Sequence, residues 1–261
     1  MSDLKSSIQH QFGTAASNYT TSNVHAKGED LAKMLEFAQL TGEEIVLDAG
    51  SGAGHVSFTF APHVQEVTAL DLTDAMLEQV SQNAQQRGFS NIKTQQGDIE
   101  KIPFPDATFD RVVSRYCAHH FPNPQQAVNE IIRVLKPNGI LVLSDVVGFD
   151  DPTSDTFLQT IELLRDPSHV RDYTKNQWLQ FFRTSGVHAE IAFPFEIALE
   201  FQPWIQRINT PETLVKALEY LFTNAPSEMK SIFKIQPDLT FTIPCAVFAV
   251  RKPDAKAHKV L

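Results

Sequence analysis

Residues 44–57 read EIVLDAGSGAGHVS, and the rest of the chain can be placed around them. An apolar, β-branched run (Ile45, Val46, Leu47) ends in an acid, Asp48. Three glycines follow at alternate positions, Gly50, Gly52 and Gly54, and residues 55–62 can then be helical. A buried strand that runs through a glycine-rich turn into a helix is how an open α/β sheet builds a crevice for a nucleotide-type ligand. Glycine permits positive φ and lets a ligand approach the main chain with no Cβ in the way.

Working outward, residues 64–70 read as a second strand ending at Asp71, and 92–96 as a third followed by Gly97-Asp98. Residues 109–114 (FDRVVS) read as a fourth strand and 140–147 as a fifth, so apolar that both its faces should be covered. Helical spacing fills the gaps. It covers 24–40 (Leu31, Met34, Leu35, Phe37), 53–61, a helix capped by Thr73 and stopped at Gly88, and 124–135. Five alternations of strand and helix predict right-handed βαβ units on a parallel sheet. Beyond Gly148, helices are expected over 153–164 and from Thr174, where Gln177 is placed for a capping box. Strands are expected over 187–197 and 239–250, with helices inserted between them over about 201–235. The predicted fold is α/β: a Rossmann-like, doubly wound, seven-stranded, mostly parallel sheet with a helical cap between the last two strands.

Bulk composition narrows the function. The 261 residues carry 22 Lys+Arg against 31 Asp+Glu, a net charge of −9. There is no Lys/Arg cluster to track a phosphate backbone, so nucleic acid is not expected as a partner. Two cysteines, Cys117 and Cys245, give neither a disulfide framework nor metal spacing. The N-terminus lacks an apolar leader core, and no run of 18 apolar residues occurs. The expectation is a cytoplasmic protein without a membrane span or metal, monomeric or homodimeric.

Two acids stand at strand ends, Asp71 after the second and Asp98 after the third. Ligands of open parallel sheets sit outside those carboxyl ends. A carboxylate after the second strand can accept from both ribose hydroxyls, and one after the third from an exocyclic amine, so the pair describes an adenosine pocket. The glycine spacing is G-x-G-x-G rather than the dinucleotide G-x-G-x-x-G, with His55 at the third fingerprint position. Asp48 would repel an anion but can hold an ammonium directly or through water. A ligand with a zwitterionic amino-acid arm and no phosphate therefore fits better than NAD.

The segments VLDAGSGAGH, TALDLTDAML, QGDIEKIPFPDATFD and IIRVLKPNGILVLSD resemble, in order and spacing, the motifs of class I S-adenosylmethionine-dependent methyltransferases. The small-molecule branch with the ubiquinone/menaquinone-biosynthesis methyltransferases is the most similar. The resemblance covers residues 44–145, and the opening QFGTAASNY is similar to that branch's segment over the bound cofactor. It adds an antiparallel last strand to the expected sheet and implies S-adenosyl-L-methionine as cofactor. Gly50, Gly52 and nearby backbone would hold the methionine arm, Asp71 the ribose, and Leu72 the adenine face. Asp98 and Ile99 would read the adenine edge, backbone at Ser114 and Arg115 would line the sulfonium side, and Tyr19 would lie over the methionine part. Asn138 stands where the branch has a second glycine, and Asn tolerates left-handed geometry.

Methyl transfer needs alignment, exclusion of water and, for some acceptors, a base. His119 and His120, in RYCAHHF, are the candidates, with loop positioning or helix capping as the plainer role. Cys117 reads as a small core residue, and Arg165, Asp166, His169 and Arg171 (RDPSHVR) either as substrate contacts or, the favoured reading, as a salt-bridged surface loop. Phe193, Phe195, Phe201 and Trp204 suit an apolar or ring-bearing small-molecule acceptor, although filling space under the inserted helices is the stronger reading. The expected organisation is one domain over 1–252: lid helices 1–40, cofactor core 41–150, helical insertion 198–236, then a loose tail 253–261. The rival function is a non-catalytic protein that binds S-adenosylmethionine or S-adenosylhomocysteine and acts through a partner.

Overall fold

The computed structural model describes residues 2–20 and 28–254. A seven-stranded sheet lies between two helical layers, in the order β3-β2-β1-β4-β5-β7-β6. The strands are β1 (Ile45–Ala49), β2 (Glu66–Asp71), β3 (Ile92–Gln96), β4 (Phe109–Arg115), β5 (Leu135–Val146), β6 (His188–Leu199) and β7 (Phe241–Arg251). β1 to β5 pair in parallel, and β7 runs antiparallel to both β5 and β6. The order reverses beside β1, which opens the crevice beyond the strand ends that the glycine turn predicts.

Strict alternation splits the strands between two cores. Val46, Val113, Ile140, Val142 and Val247 face one layer, and Leu47, Val112, Leu141, Leu143 and Phe248 face the other. This period of two explains why the central strands are apolar on both faces. The first layer is built by α2 (Glu29–Ala38), α3 (His55–Phe60), α6 (Pro152–Arg165) and the inserted α8 (Phe201–Arg207), α9 (Glu212–Asn224) and α10 (Ser227–Ile232). The second is built by α5 (Pro124–Val134) and α7 (Lys175–Thr184). α1 (Ser2–Thr20) lies over α4 (Asp74–Gln86) at the crevice mouth.

Several boundaries differ from the sequence reading, each for a local reason. β5 begins at Leu135, not residue 140, because the KPNG segment pairs back through a register shift against β4, with Asn138 left-handed at φ 63°. Thr73 stands at the N-cap of α4 but makes no side-chain cap bond; its N–H is taken by Asp71 instead. α2 starts at Glu29, and residues 24–27 of its expected range lie outside the described residues. The capping box at Thr174 and Gln177 is formed. The expected surface loop at 165–171 is an inside segment, with Arg165, Asp166 and His169 buried. Phe201, Phe222 and Phe241 pack with Trp204 beneath the inserted helices, so most of the late aromatics are core.

Candidate active site

A cavity of about 140 Å³ opens at the carboxyl ends of β1 to β4 under α1. Gly50, Gly52, Asp71, Leu72, Asp98, Ile99, Arg115 and His120 all line it. The fold thus brings together most of the residues singled out for a cofactor. Asp48, Ser114 and His119 do not line it, and the side chain of Tyr19 lies outside the described residues.

The glycine turn closes the cavity floor. Gly50 has φ 77°, and a Cβ there would sit 2.1 Å from the Cys117 sulfur. At this position glycine answers to Cys117, which lines the cavity wall, rather than to a ligand. Gly52 has φ 49°, its missing Cβ would meet nothing within 4 Å, and it lines the cavity, so its side of the turn is open. Asp71 fixes the turn: Oδ2 accepts from Gly52 N–H at 2.8 Å and Oδ1 from Thr73 N–H at 2.9 Å. Burial raises its pKa against the pull of these donors. Each carboxylate oxygen retains a second acceptor position.

Asp98 sits at the far wall. Its Oδ1 accepts from Glu100 N–H at 2.9 Å and its Oδ2 from Lys5 Nζ at 2.6 Å. Lys5 also reaches Glu100 at 2.7 Å, and Gln9 donates to the Leu72 carbonyl at 2.9 Å. α1 is therefore bonded to the ends of β2 and β3. Burial opposes the Lys5 charge, but the two carboxylates outweigh it and raise its pKa.

Alternation explains the residues that miss the cavity. Asp48 shares the Val46 face and turns inward to α3, accepting from Ser57 Oγ at 2.6 Å. It is wholly buried, its Oδ1 has no partner, and burial lifts its pKa to about 7. A folded-state pKa above the free value makes ionisation costly. The contribution of Asp48 is full below pH 4 and is lost as pH rises through 7. The stability difference between wild type and Asp48→Asn should fall by on the order of 2–4 kcal/mol between pH 4 and pH 8; urea titrations across that range measure it, and a flat difference contradicts this proton placement. Ser114 shares the Val112 face, and its hydroxyl is buried without a partner. Arg115 turns the other way, to Asp30 of α2, with Nε–Oδ2 at 2.5 Å and Nη2–Oδ1 at 2.9 Å. The Ser144 hydroxyl adds a 3.2 Å bond to the same acid.

A second cavity of about 70 Å³ lies beyond His120. Phe12, Tyr116 and His120 line both cavities, forming a common wall. His119, Glu162, Arg165, Trp204 and Arg207 line the second alone. Tyr116 reaches this place in left-handed geometry, φ 49°, an uncommon conformation for a non-glycine residue. The His120 Nδ1 contacts the Ser168 carbonyl at 3.0 Å, and its ring meets Phe12 edge-on at 4.9 Å. The His119 Nδ1 contacts Asp145 Oδ1 at 2.7 Å. Burial works against the His119 charge, but Asp145 prevails and lifts its pKa to about 9. Burial, together with that neighbouring cation, depresses His120 to about 4.

Sequence reading missed Lys5, Asp30, Tyr116 and Asp145 as site-building residues. Three reach the site across large separations: Lys5 meets Asp98 93 positions away, Asp30 meets Arg115 across 85, and Asp145 meets His119 across 26. The LSD motif that ends the fifth strand was the only signal for Asp145.

Among the described residues no helix is long and apolar enough to cross a membrane, and no group of three or more His, Cys, Asp or Glu is arranged to hold a metal. Comparison with known proteins agrees with the fold. The methyltransferase domain family matches residues 40–186. An uncharacterized methyltransferase, YcgJ of Bacillus subtilis, is 38% identical over 224 residues, 86% of this chain and 88% of that protein. The YcgJ crystal structure superposes with a TM-score of 0.83 over 88% of this chain and 100% of that one. The Escherichia coli protein YafE is 40% identical over 194 residues, 74% of this chain and 94% of its own length. A ubiquinone/menaquinone biosynthesis C-methyltransferase of Coxiella burnetii is 31% identical over 156 residues, 56% of this chain and 60% of that one. With its strand-end acids, its glycine turn and these relatives, the chain belongs to the methyltransferase domain family.

Proposed function

We propose that the protein transfers a methyl group from S-adenosylmethionine to a small-molecule acceptor in the second cavity. The observation that carries this reading is the common wall: one cavity bears the acids and glycines suited to an adenosine ligand, and Phe12, Tyr116 and His120 separate it from another. The first cavity fits the cofactor by its donor set. Asp71 has acceptor positions left for the ribose, Asp98 for the adenine amine, and the open side of Gly52 admits a methionine arm. No phosphate is asked for, and the Lys and Arg of the wall are already matched, Arg115 by Asp30 and Lys5 by Asp98 and Glu100.

S-adenosylmethionine supplies a methyl carbon already activated by positive sulfur. The chain's own task is then alignment and dehydration. Phe12 and Tyr116 keep water from the junction, and His120, neutral near pH 7, takes a proton from an acceptor that carries one. The second cavity mixes Trp204, Ile197, Leu199 and Ile243 with its charged members, so an acceptor with an apolar body is the best fit. Residues 1–252 are read as one domain whose α1 covers the cofactor.

Two measurements test this. S-adenosylhomocysteine should raise the melting temperature and NADH should not; the reverse order sinks the cofactor assignment. His120→Ala should lower turnover about a hundredfold, the low end for general-base catalysis because so weakly basic a ring is a modest base. Its affinity for S-adenosylhomocysteine should be unchanged, and full turnover in this variant removes His120 from the role.

A further inference from the structure

The two histidines are bonded so that their ring nitrogens have different duties. A carbonyl oxygen can only accept, so His120 donates from Nδ1 to Ser168 at 3.0 Å, and a neutral His120 carries its lone pair on Nε2. Asp145 accepts from His119 Nδ1 at 2.7 Å. The same carboxylate accepts from the N–H groups of Ala118 at 2.6 Å, His119 at 3.3 Å and Val146 at 2.8 Å. It is therefore anchored on β5 by the turn it organises, and cannot follow a proton elsewhere. The two rings lie 4.2 Å apart between centroids. Two imidazolium charges at that distance in a buried place repel strongly, so the pair holds one proton under ordinary conditions.

We infer that Asp145 is a positioning residue that fixes this shared proton on His119, so that the cation beside His120 keeps His120 deprotonated and available as a base. His119 is then not a second base. It is a standing positive charge beside the point where the acceptor becomes more negative as its proton leaves. In the step this serves, the acceptor's X–H bond breaks and its proton goes to His120 Nε2. The electron pair left on the acceptor forms the new bond to the methyl carbon, and the carbon–sulfur bond breaks with its pair remaining on sulfur. The catalytic meaning rests on the methyl-transfer reading, while the proton placement stands on the geometry alone.

Other charges face His120, and they do not reverse this order. Asp166, on the segment after α6, has Oδ2 3.8 Å from Nε2, outside hydrogen-bond range, and accepts from Ser168 N–H and Oγ at 2.8 and 2.6 Å. From α6, Glu162 and Arg165 oppose each other at 4.0 Å. His169, ring centroid 5.8 Å from that of His119, is itself depressed by burial and by both neighbouring histidines. Burial, and then the nearby Glu162, raise the pKa of Asp172 behind it. None of these offers His120 a partner as close as Asp145 offers His119.

The test is a histidine side-chain NMR titration of the full-length protein, which reads protonation and tautomer with no need of an acceptor. In wild type, His119 should stay doubly protonated through pH 7, and His120 should be the neutral Nδ1–H tautomer down to about pH 5. In Asp145→Asn, His119 should lose its charge by pH 7 and the His120 midpoint should rise by at least one pH unit. His119→Gln removes the same cation while keeping the backbone N–H bonds to Asp145, and should raise the His120 midpoint likewise, which covers the case in which Asp145→Asn does not fold. Loosening alone would also hydrate His120 and lift its midpoint, but it would release the Nδ1–H tautomer held by the Ser168 carbonyl; a raised midpoint with that tautomer kept in both variants marks the loss of the cation. An unchanged His120 midpoint in His119→Gln, or an Nε2–H tautomer in wild type, overturns the inference. Where turnover is measurable, the acid limb of kcat/KM should move up by the same amount. Titrations that behave as stated in a protein that fails to transfer methyl would count against the methyl-transfer reading alone.

Discussion

Asp71→Ala is expected to raise the dissociation constant for S-adenosylhomocysteine by roughly 100- to 20,000-fold. Its carboxylate is the group assigned to the ribose, and two charge-assisted hydrogen bonds at roughly 1.5–3 kcal/mol each give that range. The substitution also frees Gly52 and Thr73 N–H, which Asp71 holds at 2.8 and 2.9 Å. The glycine turn therefore loosens as the ligand contact is lost, and the two losses add. Asp71→Asn separates them, because one amide oxygen can still take a backbone donor. It should bind more weakly than wild type and more tightly than Asp71→Ala. Calorimetric titration reads all three, and equal affinity in wild type and Asp71→Ala contradicts the ribose assignment.

Arg115→Ala should destabilise the fold by about 3–5 kcal/mol, the usual result of removing one partner from a buried ion pair. The Arg115 and Asp30 side chains are only 2% and 1% exposed. Removing the guanidinium leaves Asp30 with the Ser144 hydroxyl at 3.2 Å as its one remaining described hydrogen bond. Against a total stability of about 5–15 kcal/mol, that is a severe loss. A double replacement, Asp30→Leu with Arg115→Met, should recover most of it, since apolar side chains of similar volume carry no orphaned charge. Urea denaturation measures both. A drop below 1 kcal/mol in Arg115→Ala shows that the pair is not load-carrying. Under the proposed function the pair has a second duty, because an unmatched guanidinium in the wall of the first cavity would repel a sulfonium. Asp30→Asn should therefore weaken binding of S-adenosylmethionine more than that of S-adenosylhomocysteine, whose sulfur is uncharged.

How far the sequence reaches is set by range. The turn at Gly50 to Gly54 was legible because strand, glycine spacing and helix are all local, and Asp71 and Asp98 followed because strand ends in a parallel sheet converge. The parallel strands and the helices before the seventh strand were legible from periodicity and length, and the antiparallel direction of that strand only from the family resemblance. The facing of single residues was not. Asp48 and Ser114 lie within reach of the crevice in sequence, yet the alternation of β1 and β4 sends one to Ser57 and leaves the other buried. The roof was not legible either, because Lys5 finds Asp98 and Glu100 only once α1 has crossed the sheet ends. The buried segment at 165–171 misled for a related reason: its charges look solvated until the partners, Trp204 carbonyl for Arg165 and Ser168 for Asp166, are supplied by folding.

The most direct test of the two-cavity account is a crystal structure with sinefungin, whose amine stands where the transferable methyl would be. The ribose hydroxyls should lie on Asp71, the adenine amine near Asp98, and the sinefungin amine should face the wall of Phe12, Tyr116 and His120. A ligand that binds with its reactive end turned from that wall, or that leaves Asp71 uncontacted, contradicts the account.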